Sequence, residues 1–137
     1  MSEQEATPRT RLSAVHVLVV DDNAAVCRVL TTLLESYGAS VTSVGSAAEA
    51  LRVLPLERPD VLLTDLSMPE ADGFSLIRRV RALLPEHGGR TPAALVTDLA
   101  ASQARAKVLR AGFQFCLAKP VNAGELVAAV TILATKE

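Results

Sequence analysis

A chain of 137 residues, half of them hydrophobic, has the apolar material for one well-filled domain and little room for a second. Its net charge of −1 argues against the basic stripe of a DNA-binding surface, and three Phe, one Tyr and no Trp make base-stacking platforms for single strands improbable. No apolar stretch reaches the ~18 residues of a membrane-spanning helix, and the polar opening lacks the apolar segment of a signal peptide, so a cytoplasmic location is expected.

Residues 1 to about 12 read as a flexible polar lead without any period, and 13–135 as the folded domain. The first strand is expected at about Val15 to Val20. Asn23 then caps a helix to about Tyr37 whose apolar face is Val26, Leu30, Leu33, Leu34 and Tyr37, and Gly38 ends it. Ser40 to Val44 alternates as a short strand. Ser46 and Glu49 resemble a capping box opening a helix to about Leu54, with Pro55 and Pro59 bracketing the next loop. Val61 to Asp65 is the third strand, and Met68 to Gly73 a loop and turn. Phe74, Ile77, Val80, Arg81 and Leu84 form a helical period that Pro85 stops. The fourth strand is Ala93 to Thr97 and the fourth helix Ala101 to Ala111, ended by Gly112. Phe115 to Ala118 is the fifth strand, and Asn122 caps a last helix to about Thr135.

Five strands alternate with five helices, and the central strands are continuously apolar, as parallel strands covered on both faces must be. Right-handed crossovers leave few arrangements. The expected fold is therefore α/β: a flavodoxin-like (βα)5 doubly wound parallel sheet of strand order 2-1-3-4-5, with its switch point between the first and third strands.

Four apolar runs deliver reactive side chains at the same end of that sheet: Asp21 and Asp22, Asp65, Thr97, and Lys119 followed by Pro120. In an open parallel sheet this is the end where ligands bind. Clustered carboxylates repel, raise one another's pKa, and are relieved by a cation. Oxygen ligands suit Mg²⁺. Asp22 and Asp65 can hold it directly, with the backbone carbonyl of Ser67 as a third protein ligand and Asp21 acting through water. Against this, Asp21 and Asp22 can simply cap the first helix. Pro120 favours an extended or cis peptide, and a cis Lys119–Pro120 bond aims the ammonium into the crevice. There it can pair with a carboxylate or with an oxygen of a phosphoryl group, and Thr97 can donate its hydroxyl to the same group. The thiols of Cys27 and Cys116 form no CxxC pair and have only His16 and His87 for company, so both are expected to be reduced and largely buried rather than zinc ligands.

In the order Val-Leu-Val-Val-Asp21-Asp22-Asn23, Thr64-Asp65-Leu66-Ser67-Met68-Pro69-Glu70-Ala71-Asp72-Gly73, Thr97 and Lys119-Pro120, the chain resembles the receiver domain of two-component response regulators from about residue 13 to 134. The resemblance implies that Asp65 is the phosphoacceptor, charged by a histidine kinase or a histidine phosphotransfer protein. It implies that Mg²⁺, Lys119 and Thr97 assist, and that the domain catalyses only its own phosphorylation and dephosphorylation. It also implies a switch on the face of the fourth helix, fifth strand and fifth helix, about Gln103 to Arg110, Phe115 to Ala118 and Asn122 to Val130, which also offers a homodimer surface. The polar lead resembles the linker before a terminal receiver in hybrid histidine kinases.

Two positions depart from the family's pattern. Cys116 stands where an aromatic ring is usual, and Phe115 beside it points to the opposite side of the strand. Asp98 follows Thr97 where a small residue is usual; it either narrows access and alters the phosphoryl lifetime or points to solvent. Two other functions compete: a pseudo-receiver that binds partners without carrying phosphate, and a Mg²⁺-dependent aspartate phosphatase. The second needs a DxD pattern on the first strand, where this chain has Asp21-Asp22 instead. A flavodoxin's phosphate loop after the first strand is Ser/Thr-rich, whereas Asp21-Asp22-Asn23 would repel a phosphate there.

Overall fold

The computed structural model describes residues 11–98 and 101–135, with side chains for all of these except 101–104. Strands β1 (His16–Val20), β2 (Ser40–Val44), β3 (Val61–Asp65), β4 (Ala93–Thr97) and β5 (Phe115–Ala118) form one parallel sheet in the order β2-β1-β3-β4-β5. The expected topology is the observed one. Helices α1 (Ala24–Ser36), α2 (Ala47–Glu57), α3 (Gly73–Arg81), α4 (Ala101–Ala111) and α5 (Ala123–Thr135) connect and follow the strands.

Alternate residues of each central strand feed two separate cores, which is why their runs are apolar throughout. Val17, Val19, Val61, Leu63, Ala94 and Val96 pack with Leu30 and Leu34 of α1 and Leu126, Val130 and Leu133 of α5. On the opposite face Leu18, Val20, Leu62, Ala93 and Leu95 meet Leu54 of α2, Leu76, Ile77 and Val80 of α3 and Val108 of α4. Asn23 caps α1, its side chain accepting from the N–H groups of Ala25 and Val26, and Asn122 does the same for Glu125 in α5.

Four local expectations are corrected. The second helix does not stop before Pro55 but runs through it to Glu57. Pro55 donates no hydrogen bond to the preceding turn, yet the last turn is held from outside. Glu57 accepts from Thr42 at 2.7 Å, and the Arg58 guanidinium donates to the carbonyls of Glu86 and Pro85. The third helix ends at Arg81 rather than near Leu84. Leu84, before Pro85, is extended and 55% exposed, whereas Leu76 takes the core position. Glu49 reaches back to the N–H of Gly45, one residue before the cap Ser46, so the reciprocal bond of a capping box is displaced by one. Leu12, assigned to the flexible lead, is fully buried and its N–H donates to the Tyr37 carbonyl at 2.8 Å. Residues 1–10 of the lead lie outside the described residues. No described helix is long and apolar enough to cross a membrane.

Candidate functional site

β1 and β3 are neighbours, and their ends carry the acidic groups. One carboxylate oxygen from each of Asp21, Asp22 and Asp65 lies within 4.8 Å of the others. Asp21 is buried, Asp65 half-buried and Asp22 exposed. Both oxygens of Asp21 are engaged: Oδ1 accepts from the N–H of Asn23 at 2.9 Å, and Oδ2 from Lys119 Nζ at 3.1 Å. Asp21 therefore buttresses the loop, while Asn23 caps the helix. The reading of Asp21 and Asp22 as mere helix caps does not describe this geometry.

Lys119 crosses from the end of β5 to the middle of the cluster. Its Nζ stands 3.1 Å from Asp21 Oδ2 and 3.1 Å from Asp65 Oδ1. The Lys119–Pro120 peptide is cis. Burial alone would lower the lysine pKa, but hydrogen bonds and charge from the two carboxylates outweigh it and hold the ammonium above its ordinary value. Asp65 is pushed above the ordinary carboxylate range, first by burial and then by the Asp21 charge, with Lys119 opposing.

Thr97 ends β4 and is 2% exposed. Its carbonyl accepts from the Lys119 N–H at 2.9 Å, so threonine and lysine leave adjacent strands together. Ser67 is exposed two residues beyond Asp65, and Asp98 is exposed at the end of β4. Cys116 packs in the core shared with α3 and α4 while Phe115 packs in the other, as strand alternation requires. Both cysteines are only half-buried, a correction to the expectation of largely buried thiols. The Cys116 thiol is raised by burial, with Arg105 opposing. Cys27 donates its thiol to the Asp21 carbonyl at 3.2 Å, a contact the sequence offered no sign of.

A further feature missed in the sequence is the fit of Gly73 under the site. A Cβ there would fall 2.7 Å from the Asp65 carbonyl oxygen and 2.9 Å from Leu95 Cδ1. The glycine after Asp72, at the start of a helical period, was its available signal.

The raised pKa of Asp65 carries a stability cost. The folded state binds the proton more tightly than the unfolded chain, so stability falls as pH rises from the ordinary carboxylate value through the raised one. Above that window the ionised group opposes folding. Asp65→Asn, neutral at every pH, is expected to be more stable than the parent by ~1 kcal/mol near neutrality in the presence of chelator. Urea titrations at neutral pH and near pH ~3 check this: the gap should close in acid, and a less stable variant at neutrality would contradict it.

One ammonium facing three carboxylates leaves negative charge uncompensated, and the donors are all hard oxygens, the set that suits Mg²⁺. The site is thus an acidic cleft at the switch point of a doubly wound parallel sheet. Residues 17–131 match the response regulator receiver domain family, and the chain belongs to it. It is 43% identical over 116 residues to an uncharacterised 14.6 kDa protein of Leptolyngbya boryana, covering 85% of this chain and 87% of that one. It is 32% identical over 120 residues to the sensor histidine kinase RcsC of Escherichia coli K12, covering 88% of this chain but 12% of the kinase. The receiver domain of the sensor histidine kinase PA1611 from Pseudomonas aeruginosa, solved with a magnesium ion coordinated in its active site cleft, superposes with a TM-score of 0.80 at 32% identity. That match covers 90% of this chain and all of that one.

Proposed function

We propose that this receiver accepts a phosphoryl group from phosphohistidine onto Asp65, the donor being a histidine kinase or a histidine phosphotransfer protein. The observation that carries the reading is Lys119, whose Nζ stands 3.1 Å from both Asp21 and Asp65 beside a third carboxylate. An Asp65 oxygen forms the new P–O bond as the donor's P–N bond breaks, and that electron pair returns to the imidazole. Lys119 neutralises charge on the equatorial phosphoryl oxygens, and Thr97 orients one of them. Asp22, Asp65 and the Ser67 carbonyl would hold Mg²⁺, with Asp21 acting through water. When bound, the ion would neutralise phosphoryl charge. The RcsC and PA1611 likenesses support the kinase class of partner and the cation.

Water later hydrolyses the acyl phosphate, so the domain assists only its own charging and discharging and turns over no other substrate. The phosphoryl group adds strong negative charge, which the face of α4, β5 and α5 reports to an output partner or a second copy. The proposed setting is cytoplasmic, without direct contact with nucleic acid or membrane. Intact mass after incubation with Mg²⁺ and acetyl phosphate tests the reading. An adduct of about 80 Da, one HPO₃ unit, is expected on the parent and not on Asp65→Asn. A folded parent without the adduct, even with a phosphohistidine donor, would overturn it in favour of a pseudo-receiver.

A further inference from the structure

Cys116 leaves β5 without a ring toward α4, and Phe115 packs in the opposite core. The other two phenylalanines divide the α4 side between them. Phe113 is buried beyond the C-terminal end of α4, while Phe74 sits at the start of α3, directly after the loop that leaves Asp65. Lys107 of α4 holds its ammonium 4.8 Å from the centroid of the Phe74 ring. Favourable contacts of this kind lie within ~6 Å of the ring centroid.

Phe74 is also tied closely to Asp65. The N–H of Gly73 donates to the Leu66 carbonyl at 2.8 Å, closing the loop from 66 to 73. The space under Gly73 is too small for a methyl group, because the Asp65 carbonyl oxygen, Leu95 Cδ1 and Leu66 Cα stand 2.7, 2.9 and 3.2 Å from where it would go. Asp72 fixes the following turn by accepting from the N–H of Ser75 at 2.8 Å. A displacement of the Asp65 backbone thus has little slack before it reaches Phe74. Close-packed contacts transmit such shifts instead of absorbing them.

Resting on the phosphoacceptor reading, we infer that the Phe74–Lys107 pair couples the phosphorylation state of Asp65 to α4. Added phosphoryl bulk and charge at Asp65 push on the closed loop, the ring moves from under the ammonium, and α4 loosens from α3.

The test is hydrogen exchange of α4 amides, with and without acetyl phosphate and Mg²⁺, with adduct occupancy measured by intact mass in the same samples. The parent should exchange faster in α4 when phosphorylated. Phe74→Leu keeps an apolar side chain without the ring, and Lys107→Gln keeps the length without the charge. Each should already exchange faster at rest, should lose at least half of the phosphorylation-dependent change, and should carry as much adduct as the parent. The double variant should lose no more than the singles. Lys107→Gln is a surface change, so it remains informative if Phe74→Leu perturbs the core. Equal adduct with the parent's full α4 response in Lys107→Gln, or losses that add in the double variant, would overturn the coupling. Absence of adduct from the parent would instead overturn the phosphoacceptor reading beneath it.

Discussion

Lys119→Met is expected to slow the charging of Asp65 by acetyl phosphate by about two to three orders of magnitude, the usual consequence of removing one preorganised stabiliser of transition-state charge. Methionine keeps much of the apolar stem and removes the ammonium that stands 3.1 Å from both Asp21 and Asp65. Charge building on the phosphoryl oxygens then meets carboxylates with one counter-charge fewer. The same loss leaves buried Asp21 without its cation, so the fold weakens too, and circular dichroism must establish that the variant is folded before rates are compared. The pH dependence separates the roles. Because the lysine is held above its ordinary pKa, its stabilising contribution is fully present below that value and is lost only as pH rises through the folded one. The parent's charging rate should therefore show no fall from lysine deprotonation between roughly pH 7 and 10. A rate for Lys119→Met within threefold of the parent, read from the time course of the mass adduct, would remove the lysine from the mechanism.

Most of the sheet was legible because burial on both faces leaves a plain trace. Val17 to Val20 and Val61 to Thr64 are apolar or β-branched throughout, and each run ends at the polar residue that reaches the cleft. Helix ends were legible where a local residue makes them, as Asn23 and Asn122 do by capping and Gly38 and Gly112 do at φ of +100° and +124°. What the sequence concealed depends on distant partners. α2 continues through Pro55 because Thr42 and the carbonyls of Pro85 and Glu86 hold its last turn. Leu12 is core because Tyr37 and α1 are there to receive it. In the site, the residue types were readable, but the assignment of Lys119 to both Asp21 and Asp65 depends on a crossing over β4, which separates β5 from β3. The double engagement of Asp21 likewise comes from packing and has no signature in spacing, and the fit of Gly73 under Asp65 left only the glycine at the start of a helical period as a trace.

Arg81 shows the same limit and gives the largest expected loss of stability. By periodicity it is one more residue on the apolar face of α3. In the structure its guanidinium donates from Nε and Nη2 to the Gly112 carbonyl at 3.1 and 2.7 Å, and from Nη1 to those of Gly89 and Thr91 at 3.0 and 2.7 Å. One side chain thus ties the end of α3 to the approach to β4 and to the turn between α4 and β5. Burial lowers its pKa, and among the described residues no carboxylate pairs with it, so backbone carbonyl dipoles are its protein partners. A guanidinium stays protonated under these conditions. Arg81→Ala removes all four bonds and strands three carbonyls that were satisfied by a charged donor. The expected loss is about 3 kcal/mol, from bonds to a charged group and acceptors left unpaired, a large share of the 5–15 kcal/mol typical of a domain. Arg81→Lys should recover about half, since a single ammonium lacks the planar fork that reaches three carbonyls at once. Urea unfolding of the two variants and the parent decides it. An alanine variant within ~0.5 kcal/mol of the parent, the range of ordinary surface substitutions, would mean that water replaces the clamp at little cost. A lysine variant equal to the parent would mean that charge, and not the fork, holds the three segments together.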